Sequence, residues 1–191
     1  MDLKKHPLSY WISKEADRVF DKNEDITLTL KDNCLIPNAG IDLSNAPQDA
    51  AILWPKDAFK TAQEIQKRLR RHFKIRRLGI LIADSTCQPL RAGTTGRAIG
   101  WAGFEGVEDQ RGKKDLYGKT MRVTQKAVAD NLASALLLGV GETNEQTPFV
   151  LFRGAPVKFT EKKATKKTAF FPPSACIFRS VYSREFLKQP L

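Results

Sequence analysis

LIADSTCQPLRAGTTGRAIGWAGF, residues 81–104, begins as an apolar strand and meets an acid and a hydroxyl at Asp84 and Ser85. It then runs through Pro89, Arg91 and four glycines without a lysine. The run LGILIA that leads into the acid is short and apolar, and reads as a central strand. Gly93, Gly96, Gly100 and Gly103 allow the main chain to turn freely and to approach a ligand or a neighbouring element. A strand that delivers a carboxylate, a guanidinium and bare backbone together has the makings of an anion-handling site.

Outward from this stretch the chain alternates between helix and strand. Upstream, Ala58, Ala62, Ile65, Leu69 and Phe73 trace one face of a helix whose other face is basic. Further upstream, Leu8, Trp11, Ile12, Ala16, Val19 and Phe20 fall at helical spacing, and ITLTL alternates as a strand does. Downstream, Thr124 is the expected cap of a helix bearing Val128, Leu132, Ala135 and Leu136, with Gly139 and Gly141 at its end. PFVLFRG, residues 148–154, reads as a further strand. With no repeat, the pattern predicts a mixed α/β or α+β domain. One domain over residues 1–191 is expected, with its motifs in 38–154, a basic loop at 155–170 and a C-terminal segment at 171–191.

With 191 residues and 41% hydrophobic content the chain can bury one good core. No stretch approaches the roughly 18 apolar residues of a membrane span. MDLKKHPLSY lacks the apolar region of a signal peptide, so a cytoplasmic protein is expected. Cys34, Cys87 and Cys176, odd in number and scattered, suit reduced thiols. A formal charge of +11 attracts anions without choosing among them. Much of the excess lies in residues 67–77 and 158–168, which a solvated helix face and a solvated loop explain as well as a binding role does.

Absences remove several chemistries. His6 and His72 are the only histidines, which leaves almost nothing from which to build a Ser-His-Asp or Cys-His apparatus. No paired Cys or His spacing supports zinc. None of the glycines of residues 81–104 leads into Lys-Ser or Lys-Thr, so that glycine-rich stretch is not a P-loop. Carboxylates, hydroxyls, Arg, Lys and a hard metal ion remain. Asp42, Asp84, Ser85 and Glu142 are oxygen donors of the kind Mg²⁺ and Mn²⁺ prefer, although acids at element ends are also ordinary turn and capping residues.

Five stretches, AGIDLSN, LIADSTCQPLRAGTTGRAIGWAGF, DQRGKKDLYGKTMRVT, AVADNLASALLLGVGE and FVLFRG, resemble in order and spacing the coenzyme F-420:L-glutamate ligase family. The resemblance implies an amide ligase that joins a substrate carboxylate to the α-amine of L-glutamate, driven by GTP or ATP and dependent on Mg²⁺ or Mn²⁺. It implies the family's fold of mixed sheets with flanking helices in an intertwined homodimer. Carried onto this chain, it places Asp42, Asp84, Ser85 and Glu142 at the metal. Asn45, Val140, Gly141, Glu142, Thr143, Asn144, Glu145, Gln146 and Thr147 then approach the nucleotide, and Asp84 and Arg91 are the expected catalytic residues.

Two departures shape the expectation. Deazaflavin-type members continue the strand with Asp-Thr and Gly-Arg-Pro-Trp-Arg, where this chain has Asp84-Ser85-Thr86-Cys87-Gln88-Pro89-Leu90-Arg91. LWPKD, PLRAGTTG and NEQTP are more similar to the branch proposed to add glutamate to folates, so a folate acceptor is expected ahead of the deazaflavin. The family's strand-rich opening, with a Gly-Asp and a Lys-x-x-Ser element touching phosphates, has no counterpart in these residues. Either a shortened form or fragment is expected, or phosphate binding done differently, with lysines of residues 158–167 as the candidate substitute. Asp115, Lys119, Arg122, Thr124 and Asp130 are further polar candidates, and Trp54, Trp101, Phe104 and Tyr117 are candidate stacking rings. Two other readings stand beside the ligase: a catalytically silent relative that still binds a metal-nucleotide pair, and a basic nucleic-acid-binding domain. The latter is disfavoured because the aromatics show no RNA-binding pattern.

Overall fold

The computed structural model describes residues 3–22 and 26–184. It contains both helices and small sheets, as a mixed α+β protein should. The chain divides into two compact units. One comprises the described residues of Met1–Lys56 and Lys166–Leu191 together with Thr86–Ala92. The other comprises Asp57–Ser85 and Gly93–Thr165.

The first unit opens with α1 (Leu8–Glu15), which buries Ile12. The helical spacing extends to Phe20, but the helix stops at Glu15, and Val19 and Phe20 enter β1 (Arg18–Lys22). β1 pairs antiparallel with β2 (Thr27–Lys31), and β2 with β3 (Cys34–Pro37). Asp32 and Asn33 connect the last two at φ 49° and 62°, the left-handed conformations that a two-residue hairpin turn demands and that Asp and Asn tolerate. Thr29 is fully buried. Its hydroxyl donates to the Ile36 carbonyl at 2.6 Å and accepts from the Ala39 amide at 2.9 Å, so a polar atom sits in the core without a desolvation debt. Lys31, also buried, is paired with Glu15.

The second unit is built around β5 (Thr94–Ala102), introduced by α2 (Ala58–Phe73) and β4 (Ile80–Cys87) and followed by α3 (Val128–Val140). Asp57 caps α2 by accepting from the Lys60 amide at 2.8 Å. Ala58, Phe59 and Ala62 bury the first turns, whereas Ile65 and Phe73, on the same stripe, stay largely exposed. Phe59 meets Trp101 edge to face at 5.0 Å. β4 pairs with β5 in a two-stranded sheet. It is half-buried through most of its length, so the apolar run expected as a central strand is only partly covered. The buried strand is β5, and its glycines are the reason. A Cβ on Gly96 would lie 2.0 Å from the Ala133 carbonyl oxygen of α3, and one on Gly100 would lie 2.5 Å from the Ala58 carbonyl carbon of α2. Two helix backbones therefore rest directly on this strand.

Three further expectations are corrected. α3 begins after Ala127, not Thr124, and Thr124 accepts the Gln110 amide through its carbonyl instead. Gly139 lies inside that helix, and Gly141, at φ 77°, ends it. PFVLFRG forms no strand. An excursion between β5 and α3 carries β6 (Glu108–Asp109) antiparallel to β7 (Gln125–Lys126). It is tied by charges: the Lys158 ammonium holds the Glu108 carboxyl down at about 2, and the Arg111 guanidinium does the same for Asp109.

Candidate functional site

In the second unit the candidate residues are arranged by the way α3 is latched to β5. Asp130 Oδ1, in the first turn of α3, accepts the Ala98 amide at 2.9 Å. Ser134 lies 2.9 Å from the Thr95 hydroxyl and donates to the Gly96 carbonyl at 3.2 Å. These bonds fix the register of helix against strand. As a result the residue after the Gly141 cap, Glu142, arrives at the head of β5, where its Oε1 accepts from the Thr94 hydroxyl at 2.9 Å. Neither Thr94 nor Ser134 was anticipated as a positioning residue, because in sequence both read as ordinary strand and helix positions.

Asp84 and Ser85 stand within β4, which continues to Cys87 instead of ending before them. Asp84 Oδ1 accepts the Ser85 amide at 2.8 Å, and both residues are half-buried. The nucleotide-loop candidates follow α3. Val140 is its last residue, and 142–147 form an exposed loop. The Glu145 carboxylate organises that loop by accepting the Thr143 amide at 2.8 Å and the Thr143 hydroxyl at 3.2 Å, and the amide bond holds its pKa below the usual carboxylate range. Thr147 closes back onto the Glu145 carbonyl at 3.1 Å, with Gln146 at φ 52° between them. Asn144 is exposed.

Asp42, Asn45 and Arg91 belong to the first unit. Asp42 bridges to Ile52 through both backbone groups, and its Oδ1 accepts from the Ser44 amide at 2.7 Å and the Ser44 hydroxyl at 2.6 Å. Asn45 follows at φ 50° and is exposed. Arg91 lies in an exposed turn whose amide returns to the Gln88 carbonyl at 3.2 Å.

The secondary candidates sort themselves by burial. Trp101 and Phe104 are core residues, Tyr117 is exposed, and Trp54 is half-buried. Asp115 shapes a turn by accepting the Tyr117 and Lys119 amides. One residue that sequence reasoning passed over as strand filler is Arg97. Its Nε is buried and has no hydrogen-bond partner among the described residues. A guanidinium left so has unused capacity for an anion.

The oxygen donors fit a hard divalent cation. Asp42 and Glu142 each have one carboxylate oxygen outside the bonds above, and neither is spent on a Lys or Arg ion pair among the described residues. Among those residues no three His, Cys, Asp or Glu side chains form a ready cage. Mg²⁺ does not require one, since it is commonly held by one or two carboxylates, waters and substrate phosphates.

The fold and these residues define a mixed α+β protein with oxygen donors on a strand pair and a carboxylate-organised loop after a helix. The comparisons sharpen that class. The family model for F420-0:gamma-glutamyl ligase matches residues 7–154. Among curated proteins, the coenzyme F420:L-glutamate ligase of Methanopyrus kandleri is 36% identical over 171 residues, covering 88% of this chain and 68% of that protein. The protein of the same name from Methanocaldococcus jannaschii is 36% identical over 168 residues, 88% of this chain and 65% of its own length. That from Methanothermobacter thermautotrophicus is 36% identical over 142 residues, 74% and 56%. This chain belongs to the F420-0:gamma-glutamyl ligase family, and it spans about two thirds or less of the length of these relatives.

Proposed function

We propose that this chain acts in adding L-glutamate to the carboxylate of a cofactor-type acceptor, driven by a nucleoside triphosphate, as part of a homodimer. The observation that carries this reading is the family match over residues 7–154, a span that includes every residue expected at the metal, at the catalytic positions and in the nucleotide loop. A carboxylate does not condense with an amine in water. The γ-phosphoryl group is first transferred to the acceptor carboxylate, giving an acyl phosphate and the nucleoside diphosphate. The glutamate amine then forms the amide, releasing phosphate and a proton.

The chain's own groups have distinct parts in this reading. Asp84, Ser85 and Glu142, with Asp42, supply the donors for Mg²⁺ or Mn²⁺, which neutralises phosphate charge when bound. Asn45 and the loop of residues 140–147 contact the nucleotide. Arg91 holds an anionic oxygen by a bidentate contact, and Arg97 offers a second guanidinium for the same purpose. The acceptor that the family's description supports is F420-0. LWPKD, PLRAGTTG and NEQTP favour a folate as the second reading, with Leu90 in place of the usual Trp.

The test is labelled glutamate with Mg²⁺ or Mn²⁺, GTP or ATP, and each acceptor in turn, following product mass and phosphate release. Glutamate joined to F420-0 or to tetrahydrofolate identifies the acceptor; no phosphate release with either would leave a silent relative. Asp84→Asn should keep the fold and weaken Mn²⁺-nucleotide binding at least about tenfold in calorimetry, because an amide carries no charge to offset the cation. Unchanged affinity would remove Asp84 from the metal site.

A further inference from the structure

The second unit also carries a basic surface apart from the oxygen donors and the loop of residues 140–147. Alongside α2, two adjoining clefts of about 490 and 730 Å³ share Gln66, Arg70, Gly103, Thr160 and Glu161. Lys67 and Arg71 line them from the helix, Arg76 and Arg77 from the segment after it, and Lys162 and Lys163 from the far side. Arg70 is bound by both oxygens of Glu161, at 2.9 and 3.0 Å. The other six have no carboxylate partner among the described residues. Elsewhere this chain does pair its cations: Lys31 with Glu15, Lys158 and Lys113 with Glu108, Arg111 with Asp109, Lys166 with Asp32. Glu64 is the other acid in their lining, so the clefts carry an excess of positive charge that acids balance in other places.

Strand geometry separates this surface from the candidate site. Leu78 lines the first cleft two residues before β4, and Asp84 is the fifth residue of that strand. At about 3.3 Å per residue they lie up to about 20 Å apart. Gly103, just past β5, and Thr94, at its head, are separated by about 30 Å on the same measure. The basic clefts and the Glu142 contact therefore occupy opposite ends of β5.

We propose that the clefts form a track for a single nucleic-acid strand. Lys60 to Arg71 along α2 covers about 16 Å at 1.5 Å per residue, long enough for several phosphates of one strand to lie against the helix, with the cations of the far side to meet others. Bare inorganic anions would need only the charges. The track also presents Phe159, 47% exposed among Arg76 and Arg77, and Ile75, 40% exposed beside Arg71. Cations that follow a backbone combined with an accessible ring on which a base stacks are what sequence-tolerant single-strand binding uses. Phe159 is separated from α2 by more than eighty positions of sequence, so no local RNA-binding pattern could have displayed it.

The experiment is fluorescence anisotropy of a labelled twelve-residue oligouridylate with the full chain. With about five phosphates neutralised, the affinity should fall about 100-fold between 50 and 200 mM salt. Arg71→Glu with Arg76→Glu should weaken binding at least tenfold, and Lys162→Glu, away from the helix, should weaken it in the same direction. Phe159→Ser should weaken it severalfold with the salt slope unchanged. Thermal melting of each variant checks the fold. Absence of binding at 50 mM salt overturns the proposal. So does equal competition by inorganic polyphosphate or by poly-L-glutamate of matched charge, which would make the track a site for bare phosphates or for a carboxylate chain. Phosphate release in the ligase assay should be unaltered in the Arg71→Glu, Arg76→Glu double variant and in Phe159→Ser, so the two readings fail independently.

Discussion

β5 and PFVLFRG, residues 148–154, end in opposite states although the second has the larger apolar side chains. From Gly96 to Ala102 the strand is buried in every residue but Arg97, with α2 and α3 lying on its glycines. Residues 148–154 pair with no strand among the described residues, and Phe149 and Leu151 are 88% and 68% exposed. Side-chain apolarity sets what gains from burial. Backbone access sets what one chain can bury by itself. TTGRAIGWA achieves burial by letting two helix backbones come within contact of its own, whereas PFVLFRG, with no glycine before Gly154, offers no such approach and has no neighbour to complete a ladder.

The sharpest way to break this contrast is to give β5 a side chain where it has none. Gly96→Val places atoms within 2.0 Å of the Ala133 carbonyl oxygen, and helix backbone cannot swing aside as a flexible side chain would. The expected cost is about 3 kcal/mol, seen as a melting temperature lower by about 10 °C. A change under about 2 °C would show that the helix does not rest there. Asp130→Ala should follow at about 2 kcal/mol, since it strips the partner from the buried Ala98 amide. Asp130→Asn keeps an acceptor and should cost less. Hydrogen exchange at Ala98 reads the effect directly, and an unchanged rate in the alanine variant would mean that the latch is not made in solution.

The same contrast explains which parts were legible in the sequence. α2 and β2 follow from local signals, a helical stripe and the alternation of ITLTL, whereas the Asp57 cap and the Asp32-Asn33 turn emerge only in the structure. Membership of the family is written in ordered motifs. Which strand would be central was not legible, because LGILIA is apolar while β5 is small, and close backbone approach is a property of pairs of elements rather than of a run of residues. α3's true start escaped for a related reason. Its first turn is fixed by Asp130 reaching the distant Ala98 amide, and no cap signal precedes it. In the candidate site, Asp84, Ser85 and Glu142 are named by the family resemblance, but the Thr94 contact that holds Glu142 joins residues 48 apart in sequence.

The smallest expected effect on the isolated chain tests the other half of the comparison. Phe149 and Leu151 are exposed, so Phe149→Ser with Leu151→Ser should change the stability of a lone chain by no more than about 0.5 kcal/mol. If a second copy completes the strand that one chain leaves unpaired, as the proposed homodimer requires, the outcome changes in kind. The wild type should then scatter light as a dimer at micromolar concentration, because an edge segment with bulky apolar side chains is satisfied by pairing between chains. The double variant should dissociate towards the single-chain mass while its melting at high dilution stays the same. A wild type that is already a single chain would sink the dimer. A double variant that melts several degrees lower while remaining a monomer would show instead that residues 148–154 are covered within one chain, which would overturn the contrast with β5.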